Sequence, residues 1–271
     1  MPELPEVETT RRGIAPALLE RRVVEVIVRE RRLRWPIPAS LESVLPGQIV
    51  RRIERRAKYI LIRFDAGTLI LHLGMSGSLR VLKSDVRPEL HDHWDIRMDT
   101  GMLLRFHDPR RFGSLHWTEF DPRLHPLLVK LAPEPLTQRF DGEYLFRLTR
   151  KRAVAIKQFI MNSQAVVGVG NIYASEALFR ARIAPRRAAR RISRTQAHLL
   201  ARAIKDVLTE AIKIGGTTLR DYVNAEGTPG YFRQRLFVYE RAGELCRVCK
   251  SPVKRFVQGQ RSTYWCPACQ H

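Results

Sequence analysis

All four cysteines of this 271-residue chain stand near its C-terminus, as Cys246-Arg247-Val248-Cys249 and Cys266-Pro267-Ala268-Cys269 with sixteen residues between the pairs. In the spacing C-x2-C-x16-C-x2-C, each pair makes a tight turn that aims two thiolates at one tetrahedral ion, so zinc is the expected occupant. Two disulfides are the alternative use of the same residues. The first residues carry no apolar stretch of signal-peptide type, so a reducing, cytoplasmic compartment is expected and free thiols with it. No further ligand type lies nearby to leave an open position, which makes the expected ion structural, one Zn2+ per chain. Between the pairs, Phe256 to Trp265 reads as two short strands around Gly259, a hairpin whose tip offers Gln260 and Arg261 to a partner.

Charge says what kind of partner that is. Lys and Arg number 48 against 27 Asp and Glu, for a formal net charge of +21 and a pI near 10.8. A chain so basic meets a polyanion, nucleic acid ahead of an acidic protein or a lipid surface. Only nine of the basic residues are lysine, and pairs such as Arg51-Arg52 and Arg55-Arg56 also read as solvated faces. No apolar run approaches the ~20 residues a membrane span requires.

The N-terminus is Met1-Pro2-Glu3-Leu4-Pro5-Glu6-Val7-Glu8. Removal of Met1 is expected because proline follows it, and Pro2 then presents a free secondary amine beside the Glu3 carboxylate. An α-amino group titrates near ~7.7–8.0 and a lysine near ~10.4, so at pH 7 roughly a tenth of such termini are neutral against well under a thousandth of lysines. The neutral amine attacks a sugar aldehyde carbon to give a Schiff base, and Glu3 is placed to move protons for it. The same residues also read as no more than a stiff lead into a helix.

That helix is expected from Thr9 to about Arg22, with Ile14, Leu18 and Val7 or Arg11 at helical spacing. From Val23 the period changes. Val23–Val28, Tyr59–Phe64, Thr68–Leu73, Ser78–Leu82, His93–Met98, Met102–His107 and Ser114–Thr118 read as short strands divided by turns, which predicts a β-sandwich or barrel. A proline-rich passage from Asp121-Pro122 to Pro133-Glu134-Pro135 closes this domain near residue 132. Helices follow at Asp141 to about Leu148, Val154–Asn162, Ile172–Ala181 and Thr195 to about Ile214. The last has a capping box at Ser193 and Gln196, a predicted buried stripe of Leu199, Ala203, Val207 and Ala211 alongside Leu200, Ile204, Leu208 and Ile212, and a stop at Gly215-Gly216. Before the third helix, Val167-Gly168-Val169-Gly170-Asn171 places a glycine loop at a helix start, where backbone N–H groups attract phosphate; Asn171 also reads as a plain N-cap.

Taken in order, Pro2–Glu8, Lys58 in Arg56-Ala57-Lys58-Tyr59, His72-Leu73-Gly74-Met75-Ser76-Gly77, Asp108-Pro109-Arg110-Arg111-Phe112-Gly113, the Gly168–Glu176 segment and the four-cysteine module resemble the bacterial formamidopyrimidine-DNA glycosylases over essentially the whole chain. Leu4 resembles the oxidised-purine branch; the endonuclease VIII-like branch for oxidised pyrimidines usually has glycine there. The resemblance implies an α+β chain: an N-terminal β-sandwich with a leading helix at 1–132, a helix-two-turn-helix domain at 133–223, and a lesion loop with a four-cysteine zinc-finger β-hairpin at 224–271. It implies a monomer acting on double-stranded DNA that carries an oxidised base, 8-oxoguanine opposite cytosine or a ring-opened formamidopyrimidine, with strand cleavage by β- and δ-elimination.

The implied catalytic set is Pro2, Glu3, Lys58 and Arg261, with Glu6 in support and Lys58 on the phosphate beside the lesion. A base reached by flipping leaves a void, and Met75, Arg110 and Phe112 resemble the family's filling set: Phe112 as wedge, Arg110 on the orphaned cytosine, Met75 in the vacated place. Asn171, Arg261 and His91 would hold backbone phosphates. The stretch from Thr217 to Tyr231 resembles a loop that closes over the flipped purine, with Arg220 where many relatives carry lysine. Lys157 is implied near the pocket. Read alone, Met75 and Phe112 would pass for core residues and Lys58 for a strand-edge lysine. Two other readings remain: a pyrimidine-directed glycosylase, and a non-enzymatic zinc protein that binds bent or damaged DNA.

Overall fold

The computed structural model describes residues 2–216 and 235–271. The chain divides into two compact units: a first that runs through Val129 and takes up the chain again at Ile214, and a second made of Lys130–Lys213 and the C-terminal segment through His271.

The first unit begins with α1 (Leu4–Leu18). It starts five residues before the predicted Thr9. Pro5 sits in the first turn, where its missing N–H costs nothing, and the Glu3 N–H donates to Glu6 Oε2 at 2.8 Å in a capping box. It stops at Leu18 rather than Arg22 because Glu20 takes a left-handed φ of 56° and the chain turns into a strand. Val7, Ile14 and Leu18 are buried, as their spacing predicted.

Two four-stranded antiparallel sheets form the sandwich. One has the order β1 (Val23–Val28), β6 (Asp92–Met98), β7 (Met102–His107), β5 (Ser78–Lys83); the other runs β2 (Arg52–Arg56), β3 (Tyr59–Arg63), β4 (Thr68–His72), β8 (Ser114–Thr118). Alternate residues of both, among them Ile60, Ile62, Leu69, Leu71, Trp94, Ile96, Leu104 and Phe106, fill one core with α1. Cross-strand partners Trp94 and Phe106 stack at 5.3 Å. The sheet also holds a buried ion pair, Arg105 gripping Asp95 with Nε and a terminal nitrogen at 2.8 Å each. The predicted strands all form. Strand β2 escaped the reading because only Ile53 of its five residues is buried, so its arginines show no period; an edge strand of charge is protected from pairing with other chains. The short helix α2 (Leu41–Val44) escaped it too.

The second unit packs α3 (Gly142–Thr149), α4 (Ile156–Ile160), α5 (Asn171–Arg180) and α6 (Arg194–Lys213). The capping box of α6 is present, Gln196 N–H donating to Ser193 Oγ and Ser193 N–H to Gln196 Oε1, both at 3.1 Å. Leu200, Ile204, Val207, Leu208 and Ala211 are buried on it. Leu199 is not: at 51% exposed it lies off the stripe, because the buried face follows Leu200 and Ile204. The four-cysteine hairpin is β9 (Lys254–Gln258) and β10 (Arg261–Trp265), joined through Gly259 and Gln260, both at positive φ as a two-residue hairpin turn needs. Among the described residues no helix is long and apolar enough to cross a membrane.

Candidate functional site

In the first unit the N-terminal chemistry is held from inside. Pro2, Glu3 and Glu6 are all buried. The bond from Glu3 N–H to Glu6 fixes the peptide that carries the Pro2 carbonyl.

Lys58 occupies the two-residue turn between β2 and β3, after Ala57 at φ 53°. Its ammonium bears on His72 at the end of β4. Burial, then the Lys58 and Arg34 charges, push the His72 imidazole down to about 4. Its Nδ1 accepts the Gly74 N–H at 3.0 Å, as the neutral ring allows. The sequence reading gave His72 no role. A histidine that faces lysine and arginine could have been found only by knowing that the β2–β3 turn and the end of β4 are neighbours.

Two loops leave adjacent strand ends. Gly74-Met75-Ser76-Gly77 joins β4 to β5, and Asp108 to Gly113 joins β7 to β8. Their tips stay in solvent, Met75 at 39% and Phe112 at 40% exposure, with the Arg110 guanidinium 4.9 Å from the centre of the Phe112 ring. The reading as core residues is thereby set aside. His91 stands beside the second loop at φ 74°, its carbonyl accepting the Asp108 N–H at 3.0 Å.

In the second unit, Gly168 at φ 79° turns the chain toward α5. Gly170 is the N-cap and Asn171 the first helical residue, so Asn171 is not the cap. Its side chain works elsewhere. Nδ2 donates to the Ser262 carbonyl at 3.0 Å, and Oδ1 accepts from Lys157 Nζ at 2.5 Å. Lys157 also donates to Thr263 Oγ1 at 2.7 Å and to the Ser262 carbonyl at 3.3 Å. Lys157, implied near the pocket by the sequence reading, is 1% exposed, and its ammonium ties α4 and the start of α5 to the hairpin. Arg261, next to Ser262, is exposed at the head of β10. Asn171 is thus bonded to Ser262, the residue that follows Arg261 in the hairpin. Arg220 lies outside the described residues.

The four Sγ atoms lie within 4.8 Å of one another, with Cys249 and Cys266 at 3.4 Å and Cys246 and Cys269 at 4.0 Å. Ligands at ~2.3 Å in a tetrahedron stand about 3.8 Å apart, so the donor set fits one zinc. All four thiols are free, which removes the disulfide alternative. The Ser251 N–H holds the Cys249 thiol down to about 6, while burial pushes the Cys266 and Cys269 thiols up. Phe179, Val238 and Val253 pack around buried Cys246 and Cys266, a core too small to stand without a metal.

Family profiles match three stretches: the formamidopyrimidine-DNA glycosylase N-terminal domain at residues 1–115, the formamidopyrimidine-DNA glycosylase H2TH domain at 131–223, and the zinc finger found in FPG and IleRS at 243–271. The chain is 60% identical over 270 residues, all of both chains, to a protein of Thioalkalivibrio sulfidiphilus named formamidopyrimidine-DNA glycosylase. Among solved structures it is similar to MutM (Fpg) of Thermus thermophilus, with 39% identity, TM-score 0.89 and coverage of 99% and 98% of the two chains. It is similar also to a Lactococcus lactis Fpg mutant in complex with DNA containing Fapy-dG, with 32% identity, TM-score 0.93 and 99% coverage of both.

Proposed function

Because the chain belongs to the formamidopyrimidine-DNA glycosylase family, we propose that it removes oxidised purines, 8-oxoguanine opposite cytosine and formamidopyrimidines, from duplex DNA and then cleaves the strand as a lyase. One observation carries the reading: Pro2, which becomes the terminal amine once Met1 is removed, is buried beside the Glu3 and Glu6 carboxylates of the capping box.

The chemistry follows from the atoms. The Pro2 nitrogen attacks the deoxyribose C1′; the N–C1′ bond forms as the glycosidic bond breaks, and the base leaves with a proton. Glu3 delivers a proton to the ring oxygen as the sugar opens. A secondary amine yields only an iminium, which is obligatorily cationic and draws electrons from C2′. Loss of a C2′ proton then expels the 3′ phosphate, and a second elimination expels the 5′ phosphate. Hydrolysis of the iminium returns the free amine. Lys58 would neutralise the phosphate beside the lesion, and Asn171, Arg261 and His91 would hold flanking phosphates, so affinity falls steeply with salt. Met75, Arg110 and Phe112 would fill the void left by the flipped base. A zinc ion on Cys246, Cys249, Cys266 and Cys269 would keep the hairpin folded so that Arg261 and Ser262 stay beside Asn171; it supplies no step of the reaction. The protein would act as a monomer in the cytoplasm, where its DNA is.

Borohydride trapping tests this on duplexes with 8-oxoguanine opposite cytosine, thymine glycol, or undamaged guanine. A covalent adduct on the first, lost in protein whose intact mass shows Met1 retained, is the expected result. Trapping mainly on thymine glycol would move the substrate to oxidised pyrimidines. Tight, salt-sensitive binding with no adduct would leave a DNA-binding protein without the chemistry.

A further inference from the structure

We infer that Asp108 is a positioning residue that locks the Met75 loop and the Arg110–Phe112 loop into one rigid wedge before DNA arrives; the inference rests on the glycosylase reading above. Asp108 is fully buried, yet it lies between two loops whose tips are exposed. Its Oδ1 accepts the Ser76 hydroxyl at 2.6 Å, from the first loop, and the Arg110 N–H at 3.3 Å, from the second. Its Oδ2 accepts the Gly113 N–H at 2.8 Å. Its main chain is engaged as well: the carbonyl accepts from His93 Nε2 at 2.7 Å and from the Arg111 N–H at 3.2 Å, while its N–H donates to the His91 carbonyl. A carbonyl only accepts, so His93 carries its proton on Nε2. One residue therefore binds three segments, each bearing a side chain assigned to the DNA: Met75, Arg110 with Phe112, and His91.

The backbones leave the lock no slack. Gly74 stands at φ 70°, and a Cβ there would lie 2.4 Å from both the Gly113 nitrogen and the Phe112 carbonyl carbon. Arg111 is held at φ 55°, a conformation that side chains rarely adopt unless their surroundings impose it. Without such a hold, exposed Met75 and Phe112 would fold back onto the protein's own apolar surface. With it, the ordering of the wedge is completed during folding and is not charged against base extrusion.

This separates Asp108 from a residue of general structural use. Extruding a stacked base from a duplex needs the wedge; cleaving an abasic site in a single strand does not, since there is neither a stack nor an opposite base. The test is single-turnover kinetics at saturating zinc-loaded enzyme on an 8-oxoguanine–cytosine duplex and on a single-stranded abasic oligonucleotide. Relative to strand cleavage, Asp108→Ala should slow duplex excision about tenfold or more, the effect of one lost buried carboxylate bond or more. Ser76→Ala, which leaves the carboxylate and both backbone contacts, should slow it about threefold. Asp108→Asn should fall nearest the wild type, its carbonyl taking the Gly113 N–H and its amide donating to Ser76 Oγ. If Asp108→Ala does not fold, the ordering of Ser76→Ala and Asp108→Asn carries the test. Equal fractional losses on both substrates, or no loss on the duplex, would overturn the positioning role. Wild-type protein that excises nothing would instead overturn the parent reading. In that case 2-aminopurine fluorescence beside the lesion still reports unstacking, and an equal rise in wild type and the Asp108 variants would refute the lock.

Discussion

Glu176 is fully buried in α5, and its carboxylate accepts three consecutive backbone N–H groups, those of Phe237, Val238 and Tyr239, each at 2.9 Å. These residues lead into the zinc hairpin, and Val238 belongs to its small core. The donors are main chain, so no second substitution can remove them. That distinguishes this carboxylate from a buried ion pair, which apolar residues often replace without loss. Hydrogen bonds to a charged acceptor are worth ~1.5–3 kcal/mol each. The Phe237 and Tyr239 donors are only partly buried, and water reaches them in part once the carboxylate is gone. Glu176→Ala should therefore cost about 3–5 kcal/mol, and Glu176→Gln, which keeps one accepting oxygen, about 1–2 kcal/mol. Urea unfolding of zinc-loaded protein followed by circular dichroism at 222 nm reads both, since most helical residues lie in the second unit. An alanine variant within about 1 kcal/mol of wild type, or equal losses for Ala and Gln, would refute the view that this carboxylate anchors the segment.

Two further outcomes are expected. Chelation of zinc, or Cys246→Ser or Cys269→Ser, should lower affinity for a duplex with a stable abasic analogue by about tenfold or more, because the hairpin loses its fold. The near-ultraviolet dichroism from Trp35, Trp94 and Trp117 in the first unit should persist, and equal affinity with and without zinc would contradict the assignment. For His72, the folded ring titrates at about 4 against 6.5 unfolded, so between those values the unfolded chain binds more protons and stability falls as pH falls. His72→Gln should flatten this dependence by up to about 1.4 kcal/mol per pH unit within the window; identical melting-temperature slopes for the two proteins would count against it.

Much of this protein is legible along the chain because its signals are local. The hairpin and its four ligands are fixed by spacing within 24 residues, Cys246 to Cys269. The strands announced themselves by apolar runs between turns, and α6 by its capping box. Where the reading erred, the local signal was weak or deceptive. Strand β2 is a run of arginines with one buried isoleucine, so its pairing with β3 is written in β3 rather than in itself. The start of α1 was missed because Pro5 disguises a first turn that tolerates it. Leu199 is apolar at helical spacing and still exposed, since the neighbours of α6 decide which stripe is covered.

The sequence by itself determined the proline after Met1, the four-cysteine spacing, the basic charge and the family, because each rests on residue chemistry and short spacing. Tertiary structure alone decided which distant groups meet. It brought the buried Lys157 ammonium onto Asn171, and set His72 under the charge of Lys58. It made Asp108 the common acceptor of the Ser76 and Gly113 loops, and Glu176 the anchor of a segment 62 residues on. A buried polar group has to find its partner wherever the fold brings one, and the distance along the chain carries no record of that.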